Sequence, residues 1–218
     1  MDFVERGREN YFVLNFLDKY MEEHKGFICG GCFKNIFNGE KLKDIDVFFN
    51  SEEDYEHAVS LYDDIASDDK SDISFYYENE NVKAYRDTKN DIVIEFCCKI
   101  FGTPQEILDQ FDFTITQFAY YKAEVEDEDQ DDPFAEKPST HIEYRVLMNP
   151  DFFEHLHTKR LVLAENIPFP MSTLERMFRY VKYGYMPCRD AKIKIAQAIN
   201  GLTPTEIEVS ENLYDGMD

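Results

Sequence analysis

The sequence predicts an α+β protein in which a mixed β-sheet with flanking helices precedes a mostly helical C-terminal lobe. The first observation is that the apolar run Phe27–Cys29 leads into the glycine pair Gly30-Gly31, after which a helix-like segment follows. The second is the β-rich run Lys43–Phe49, in which apolar and acidic residues alternate. Strand, glycine turn, helix and strand in this order indicate a sheet that carries helices on its surface.

Three more β-rich runs extend the predicted sheet. They lie at 73–77, 82–86 and 92–98. Polar turns separate them, which predicts an antiparallel meander. A helix that begins after the capping residue Ser51 connects the acidic strand to this meander. Two amphipathic helices are predicted over 172–183 and 189–200, because apolar residues recur at helical spacing and a glycine follows each segment. These helices make up the predicted C-terminal lobe.

Two other segments have patterns that predict regular structure. Apolar residues recur at helical spacing over 3–24, which predicts an amphipathic helix that packs on the sheet. The segment 111–118, FDFTITQF, alternates strongly and predicts a strand in which Asp112, Thr114 and Thr116 share one face.

Acidic residues mark the expected domain boundary. The segment Glu124–Glu136 holds eight acidic residues and no basic one, as is typical of a solvated loop. We therefore expect a sheet domain over 1–122, an acidic loop over 123–139 and the helical lobe over 140–218.

Asp44 and Asp46 are the first candidates for chemistry. Alternate residues of a strand share a face, so both carboxylates project to one side while Ile45 and Val47 face the core. Two adjacent carboxylates repel each other unless a cation lies between them, and oxygen ligands suit Mg²⁺ or Mn²⁺. The upstream glycines permit close approach of the backbone to a phosphate.

These residues resemble a known signature. The glycine pair Gly30-Gly31, twelve intervening residues and then Asp44-Ile45-Asp46-Val47 are similar to the signature of the DNA polymerase β-type nucleotidyltransferase superfamily. The resemblance covers chiefly 27–49. It implies a polymerase β-like mixed sheet and a metal-dependent transfer of NMP from an NTP to a hydroxyl acceptor, with Mg²⁺ or Mn²⁺ as cofactor.

The resemblance also implies a third carboxylate that shares the metal with Asp44 and Asp46. Two acidic residues with apolar neighbours are candidates, Asp112 and Glu95. We favour Asp112, because its predicted strand face is polar, and we keep Glu95 as the alternative.

The predicted nucleotide-binding residues come from both parts of the chain. Gly30, Gly31 and Lys34 follow the first strand, and Arg179 and Lys182 lie one turn apart on the helix predicted at 172–183. The run PFPMSTLERMFRYVKYGY around that helix resembles a segment of nucleotidyltransferase-like proteins encoded by bacteriophages.

The composition limits the partners and the location. The chain has 45 acidic and 23 basic residues and a net charge of −22, which opposes binding to duplex DNA. No apolar run approaches the ~20 residues that span a bilayer, and the first residues lack a signal-peptide pattern. We expect a cytoplasmic protein without a membrane partner, located in the bacterial host if a phage encodes it.

Two functions remain open from the sequence. The first, which we favour, is a nucleotidyltransferase whose acceptor is RNA, a protein or a small molecule. The second is a catalytically inactive protein of the same fold that uses its acidic surface to bind a basic host or virion partner. The intact glycine pair and Asp-x-Asp favour the enzyme, and the net charge of −22 favours the interaction protein.

Overall fold

The computed structural model of the protein describes residues 2–126 and 140–203. In chain order its strands and α-helices are β1 (Val4–Gly7), β2 (Phe27–Cys29), α1 (Cys32–Asn38), β3 (Asp44–Phe48), α2 (Glu52–Ser67), β4 (Ile73–Glu78), β5 (Val82–Asp87), β6 (Ile92–Cys97), α3 (Pro104–Leu108), β7 (Phe118–Glu126), β8 (Thr140–Met148), α4 (Phe152–His157), β9 (Arg160–Leu161), α5 (Pro170–Lys182), β10 (Met186–Pro187) and α6 (Arg189–Asn200). Short 3₁₀ helices cover Arg8–Asn10, Phe12–Tyr20 and Thr114–Thr116.

Eight strands of the described residues form one mixed sheet, in the order β1-β8-β7-β2-β3-β6-β5-β4. β3 and β6 run parallel, and every other neighbouring pair in this sheet is antiparallel. β9 and β10 form a separate parallel pair. The sheet confirms the predicted α+β class, a mixed sheet with flanking helices.

The two faces of the sheet are covered unequally. On one face the large apolar residues of β2, β3 and β6 pack with Ala58 and Tyr62 of α2 and with the 3₁₀ helix Phe12–Tyr20. On the other face a smaller cluster joins Ile107 and Leu108 of α3 to β2, β3 and β7. Because α3 is short, this second face leaves room for polar residues, among them those of the acidic strand.

Most of the predicted elements are confirmed within a residue or two. The strands of the acidic run and of the meander appear as β3 to β6, and the two late helices appear as α5 and α6. The Ser51 hydroxyl accepts a hydrogen bond from the Asp54 amide at the start of α2. Thr103 and Glu106 form a capping box at the start of α3.

The predicted helix over 3–24 is wrong. Residues Val4–Gly7 instead pair antiparallel with β8, as the sheet's edge strand. The following segment is a 3₁₀ helix in which Leu14, Leu17 and Tyr20 are buried. Their spacing of three residues matches the 3₁₀ period, and the pairing of β1 with a distant strand overrides the local helical pattern.

The predicted strand over 111–118 is also wrong. Thr114, Ile115 and Thr116 form a 3₁₀ turn and all three are buried, so the alternation does not separate a core face from a solvent face. The Thr116 hydroxyl donates to the Phe113 carbonyl over 2.8 Å, which stabilises the turn. The strand β7 begins only at Phe118.

The described residues include both flanks of the predicted acidic loop. Residues 123–126, which we expected to belong to the acidic loop, complete β7, and β8 pairs with β7 in the same sheet. The rest of the acidic loop, 127–139, and 204–218 of the lobe lie outside the described residues. The division into domains stays a prediction. In the part of the chain that is described, no helix has the length and apolar character needed to cross a bilayer.

Candidate active site

Most of the residues singled out by the sequence line one cavity of about 420 Å³. Residues of α1, of β3 and of α5 contribute to its walls, and its size is that of a small-molecule site. The predicted residues that line it are Gly31, Lys34, Asp44, Asp46, Asp112 and Arg179. Among the described residues, Gly30, Lys182 and the alternative carboxylate Glu95 do not belong to the lining; Lys182 is exposed on the last turn of α5.

A larger cavity, of about 560 Å³, lies between α2 and the segment that contains Lys19 and Tyr20. It contains the buried carboxylate of Asp87, which already accepts hydrogen bonds from Lys19, Tyr20 and Asn90. These bonds hold the pKa of Asp87 below its ordinary value, against the effect of burial. Because its carboxylate is satisfied by the protein, we assign the chemistry to the smaller cavity.

Gly30 adopts a backbone conformation that favours glycine. Its φ is +101°, and its amide donates to the Phe118 carbonyl over 3.0 Å. A β-carbon at this position would lie 3.1 Å from the Phe111 ring and 3.3 Å from the Asp46 carboxylate. Gly30 therefore lets the chain turn from β2 into α1 directly beside Asp46.

We expect the Gly30→Ala variant to lower the free energy of unfolding by about 1–3 kcal/mol, because alanine is strained at this φ. Gly31→Ala is the matched control: Gly31 has an ordinary helical φ of −69°, and its added β-carbon would lie 3.6 Å from the Tyr180 hydroxyl, an ordinary contact. Urea denaturation of both variants measures the difference. Equal losses for the two variants would contradict this account of the glycine pair.

The pairing of β3 with β6 places three carboxylates on one face of the sheet. Asp44 lies opposite Val93, and Asp46 lies opposite Glu95, so Asp44, Asp46 and Glu95 project to the same side. The Glu95 carboxyl lies near enough to that of Asp46 to raise the pKa of Asp46, and it accepts a 2.5 Å hydrogen bond from the Tyr77 hydroxyl. Asp46 and Glu95 are both partly buried, whereas Asp44 is exposed at the start of the strand.

This arrangement perturbs the acidity of Asp46. Burial, followed by the negative charges of Glu95 and Asp44, raises the pKa of the Asp46 carboxyl well above its ordinary value. Burial and the same carboxylates also raise the pKa of Tyr77, so its hydroxyl keeps its proton and donates it to the hydrogen bond. The negative charge gathered at this site therefore destabilises the folded protein unless a cation offsets it.

The raised pKa of Asp46 predicts a pH-dependent effect of the Asp46→Asn variant in metal-free buffer. A carboxyl group whose pKa rises on folding favours folding at low pH, and this contribution is lost as the pH rises through the native pKa. The asparagine side chain carries no negative charge at any pH, so it avoids the repulsion that destabilises the ionised Asp46. We expect the variant to be more stable than wild type by about 1 kcal/mol at neutral pH, and the difference to vanish near pH 4.

Denaturant titrations in EDTA between about pH 4 and pH 7 measure this difference. Asp69→Asn, at an exposed position of the loop after α2, makes the same chemical change away from the cavity and serves as the control. A stability difference for Asp46→Asn that is independent of pH would contradict the raised pKa.

Asp112 also lines the cavity, and α5 supplies its cationic partner. Its carboxylate is 2.8 Å from a guanidinium nitrogen of Arg176, and the nearby Thr173 hydroxyl donates to the Phe169 carbonyl over 3.0 Å. Burial raises the pKa of Asp112, and the Arg176 charge opposes that shift. The carboxylate that we favoured as the third metal ligand is therefore already paired with a cation.

Basic residues surround the rest of the cavity although the whole chain is strongly acidic. The cations in its lining are Lys34, Lys41, Lys43, Arg176 and Arg179. The Lys34 side chain is nearly buried and lies 3.4 Å from Glu40, and its ammonium is 5.3 Å from the centre of the Tyr183 ring. The same lining holds the four carboxylates of Glu40, Asp44, Asp46 and Asp112, so the cavity combines both signs of charge, as suits an anion that is bound together with a metal cation.

Sequence reasoning missed Lys41 and Lys43 as residues of this cavity. Both immediately precede the acidic strand, in the run Lys41-Leu42-Lys43-Asp44. This alternation of cations just before an Asp-x-Asp pair was the available signal.

The donor chemistry of the carboxylate face fits a divalent cation. Among the described residues, no three His, Cys, Asp or Glu side chains already form a group able to hold a metal ion. Asp44, Asp46 and Glu95 nevertheless supply the oxygen donors that Mg²⁺ and Mn²⁺ take. Burial and then the repulsion from Glu95 and Asp44 raise the pKa of Asp46, and a cation beside these carboxylates would offset the repulsion.

Solved structures with a similar fold are enzymes that process tRNA. A CCA-adding enzyme in complex with ATP has a TM-score of 0.57 and 15% identity, and the match covers 100% of this chain and 53% of that one. A CCA-adding enzyme with CTP has a TM-score of 0.53 and 14% identity, with coverages of 96% and 49%. A tRNA-processing enzyme with CTP has a TM-score of 0.51 and 18% identity, with coverages of 87% and 46%. At these identities the likeness concerns the fold alone.

A curated relative extends the comparison to sequence. The chain is 21% identical over 199 residues to the Gabija anti-defense 2 protein of Bacillus phage SPbetaL7. This match covers 90% of the chain but 43% of the relative, so the chain spans less than half the length of that protein. The family model described as Gad2, Gabija anti-defense 2 family protein, matches residues 7–159, which is most of the chain. The chain belongs to the Gabija anti-defense 2 family.

Proposed function

We propose that the chain is a metal-dependent nucleotidyltransferase that moves an NMP from an NTP to a hydroxyl acceptor. The observation that carries the proposal is that Asp44 and Asp46 line a cavity together with five cations, while the pairing of β3 with β6 places Glu95 opposite Asp46. Paired carboxylates next to lysine and arginine side chains are the minimum that phosphoryl-group chemistry needs. The similarity to the fold of CCA-adding enzymes supports the same class of reaction.

The carboxylates would hold Mg²⁺ or Mn²⁺, and the cation would neutralise phosphate charge and activate the attacking hydroxyl. We propose Asp44, Asp46 and Glu95 as the ligands. Asp112 as the third ligand remains the sequence-based prediction, and its 2.8 Å pairing with Arg176 supports a different role, that of holding α5 against the cavity.

The basic residues would bind the triphosphate. Lys34 is nearly buried in the cavity wall, and Arg179 is exposed on α5 and lines the same cavity. Gly31 lines the cavity, and Gly30 is needed for the turn that brings the chain beside Asp46. Lys182, one turn beyond Arg179, remains a predicted contact for a ligand that extends past the cavity.

In the proposed reaction the acceptor hydroxyl oxygen forms a bond to the α-phosphorus of the NTP. The bond between the α-phosphorus and the bridging oxygen to the β-phosphate breaks, and pyrophosphate leaves with that oxygen. Lys34 and Arg179 stabilise the charge on the leaving phosphates. The hydroxyl proton passes to solvent. The acceptor is RNA, a protein or a small molecule.

The family name supports a role in infected bacteria. We propose that the chain counteracts the Gabija defence and acts in the cytoplasm of the host. The second candidate function is a protein of this fold that antagonises the defence by binding alone, which the net charge of −22 favours.

An infection assay separates the two candidates. Bacteria that carry Gabija would express the wild type or the Asp44→Ala/Asp46→Ala variant, and the efficiency of plating of a Gabija-sensitive phage would be counted. Restored plating with the wild type and not with an equally abundant variant supports the enzyme. Equal restoration by both chains supports the binding protein, and no restoration by the wild type contradicts the proposed role.

A further inference from the structure

We propose that Tyr77 is a positioning residue for the metal site: its hydroxyl, from the edge strand β4, holds the Glu95 carboxylate in place beside Asp46. This inference rests on the proposed function. The direct observation is the 2.5 Å hydrogen bond in which the Tyr77 hydroxyl donates to Glu95 Oε1.

The register of the sheet shows how the contact arises. Tyr77 lies opposite Ala84 on β5, Ala84 lies opposite Glu95 on β6, and Glu95 lies opposite Asp46 on β3. These four residues form one row across four strands, so all of them share a face of the sheet. The row leads from the edge of the sheet to the carboxylates.

Tyr77 reaches Glu95 across an intervening strand. Two strand spacings, roughly 9.5 Å, separate the backbones of Tyr77 and Glu95. The residue between them is Ala84, whose side chain is a single methyl group. Ala84 is fully buried, and its lack of atoms beyond Cβ leaves a path for the tyrosine ring. The pairing of β4 with β5 is interrupted between Phe75 and Tyr77, and bulges of this type redirect a side chain next to active sites.

The hydrogen bond acts on the carboxylate that most needs orientation. Glu95 has one more rotatable bond than Asp46, so a fixed donor removes more conformational freedom from it. Partners that orient metal ligands commonly change metal affinity by 10–100-fold when they are removed. The neighbouring Tyr76 has a different environment: it is 49% exposed, and the Arg86 guanidinium lies 5.5 Å from its ring.

The test is the affinity of the full chain for Mn²⁺, measured from the EPR signal of the free ion. We expect Tyr77→Phe, which removes one oxygen, to weaken Mn²⁺ binding by about tenfold or more. Tyr76→Phe makes the same chemical change one residue away and should bind Mn²⁺ like the wild type. Ala84→Val, which places two methyl groups in the path of the ring, should weaken binding in the same direction.

A double-mutant cycle separates positioning from a general structural effect. If Tyr77 acts through Glu95, then adding Tyr77→Phe to Glu95→Gln should change Mn²⁺ affinity by less than twofold. Thermal unfolding verifies that each variant is folded.

Three outcomes overturn the inference. Tyr77→Phe with the affinity of the wild type removes the positioning role and leaves the proposed metal site intact. An undiminished effect of Tyr77→Phe in the Glu95→Gln background shows that Tyr77 acts elsewhere. A wild type that binds no Mn²⁺ overturns the proposed metal site, and the positioning role with it.

Discussion

Replacing Asp44 and Asp46 together with asparagine is expected to lower the rate of NMP transfer by about 1000-fold or more. This factor corresponds to about 4 kcal/mol of transition-state stabilisation. The physical reason is that amides cannot supply the two negative charges that hold a divalent cation against the phosphates. The loss should appear in kcat, because the cations that bind the triphosphate lie on α1, on α5 and just before β3, outside the carboxylate pair.

The measurement is the initial rate of transfer with radiolabelled NTP and saturating Mg²⁺. The control is Glu52→Gln/Glu53→Gln on the first turn of α2, where both side chains are exposed, because it changes the net charge by the same amount. If the aspartate variant is folded and transfers NMP within tenfold of the wild type, these carboxylates do not carry the chemistry.

The second large effect distinguishes the two candidates for the third carboxylate. We expect Glu95→Gln to lower transfer by about 100-fold and to weaken Mn²⁺ binding, because Glu95 lies opposite Asp46 on the neighbouring strand. We expect Asp112→Asn to keep the Mn²⁺ affinity of the wild type, because its carboxylate is paired with Arg176. The asparagine variant should instead raise KM for the nucleotide, since Arg176 would lose the partner that holds it at the cavity wall.

Mn²⁺ titration and steady-state kinetics of the two variants provide the comparison. Both substitutions remove one negative charge and preserve shape, so each serves as the other's control. The reverse pattern, with metal binding lost in Asp112→Asn and kept in Glu95→Gln, would establish Asp112 as the ligand and contradict our assignment of Glu95.

The sequence was sufficient to predict those features that depend on interactions between residues close together in the chain. The capping residues Ser51 and Thr103 mark helix starts that the structure confirms, since a cap acts within one helical turn. The same holds for the Asp44-Ile45-Asp46 strand, whose two carboxylates share a face because of strand alternation alone.

The sequence was insufficient where long-range pairing determines structure. Whether Glu95 reaches Asp46 depends on the register between β3 and β6, and the two residues are far apart in the chain. The alternation at 111–118 resembled a strand, yet the environment of Asp112 is determined by Arg176 and Thr173 of α5. Residues Val4–Gly7 read as part of a helix because their partner, β8, is a distant segment.

The charge distribution shows the same limit. The composition predicts an acidic protein that repels polyanions, and its net charge is −22. The cavity nevertheless gathers Lys34, Lys41 and Lys43 from the segment around α1 and adds Arg176 and Arg179 from α5. These cations come from two segments that are far apart in the sequence, and the fold brings them to one cavity.

The most direct test of nucleotidyl transfer is incubation of the wild type with each α-³²P-labelled NTP, Mg²⁺ or Mn²⁺, and host extract. Protein, RNA and small molecules would be separated afterwards, and Asp44→Ala/Asp46→Ala would be assayed in parallel. The account predicts that the wild type transfers label from at least one NTP to one of these fractions and that the variant does not. Absence of label with every NTP, together with absence of nucleotide binding by calorimetry, would contradict it.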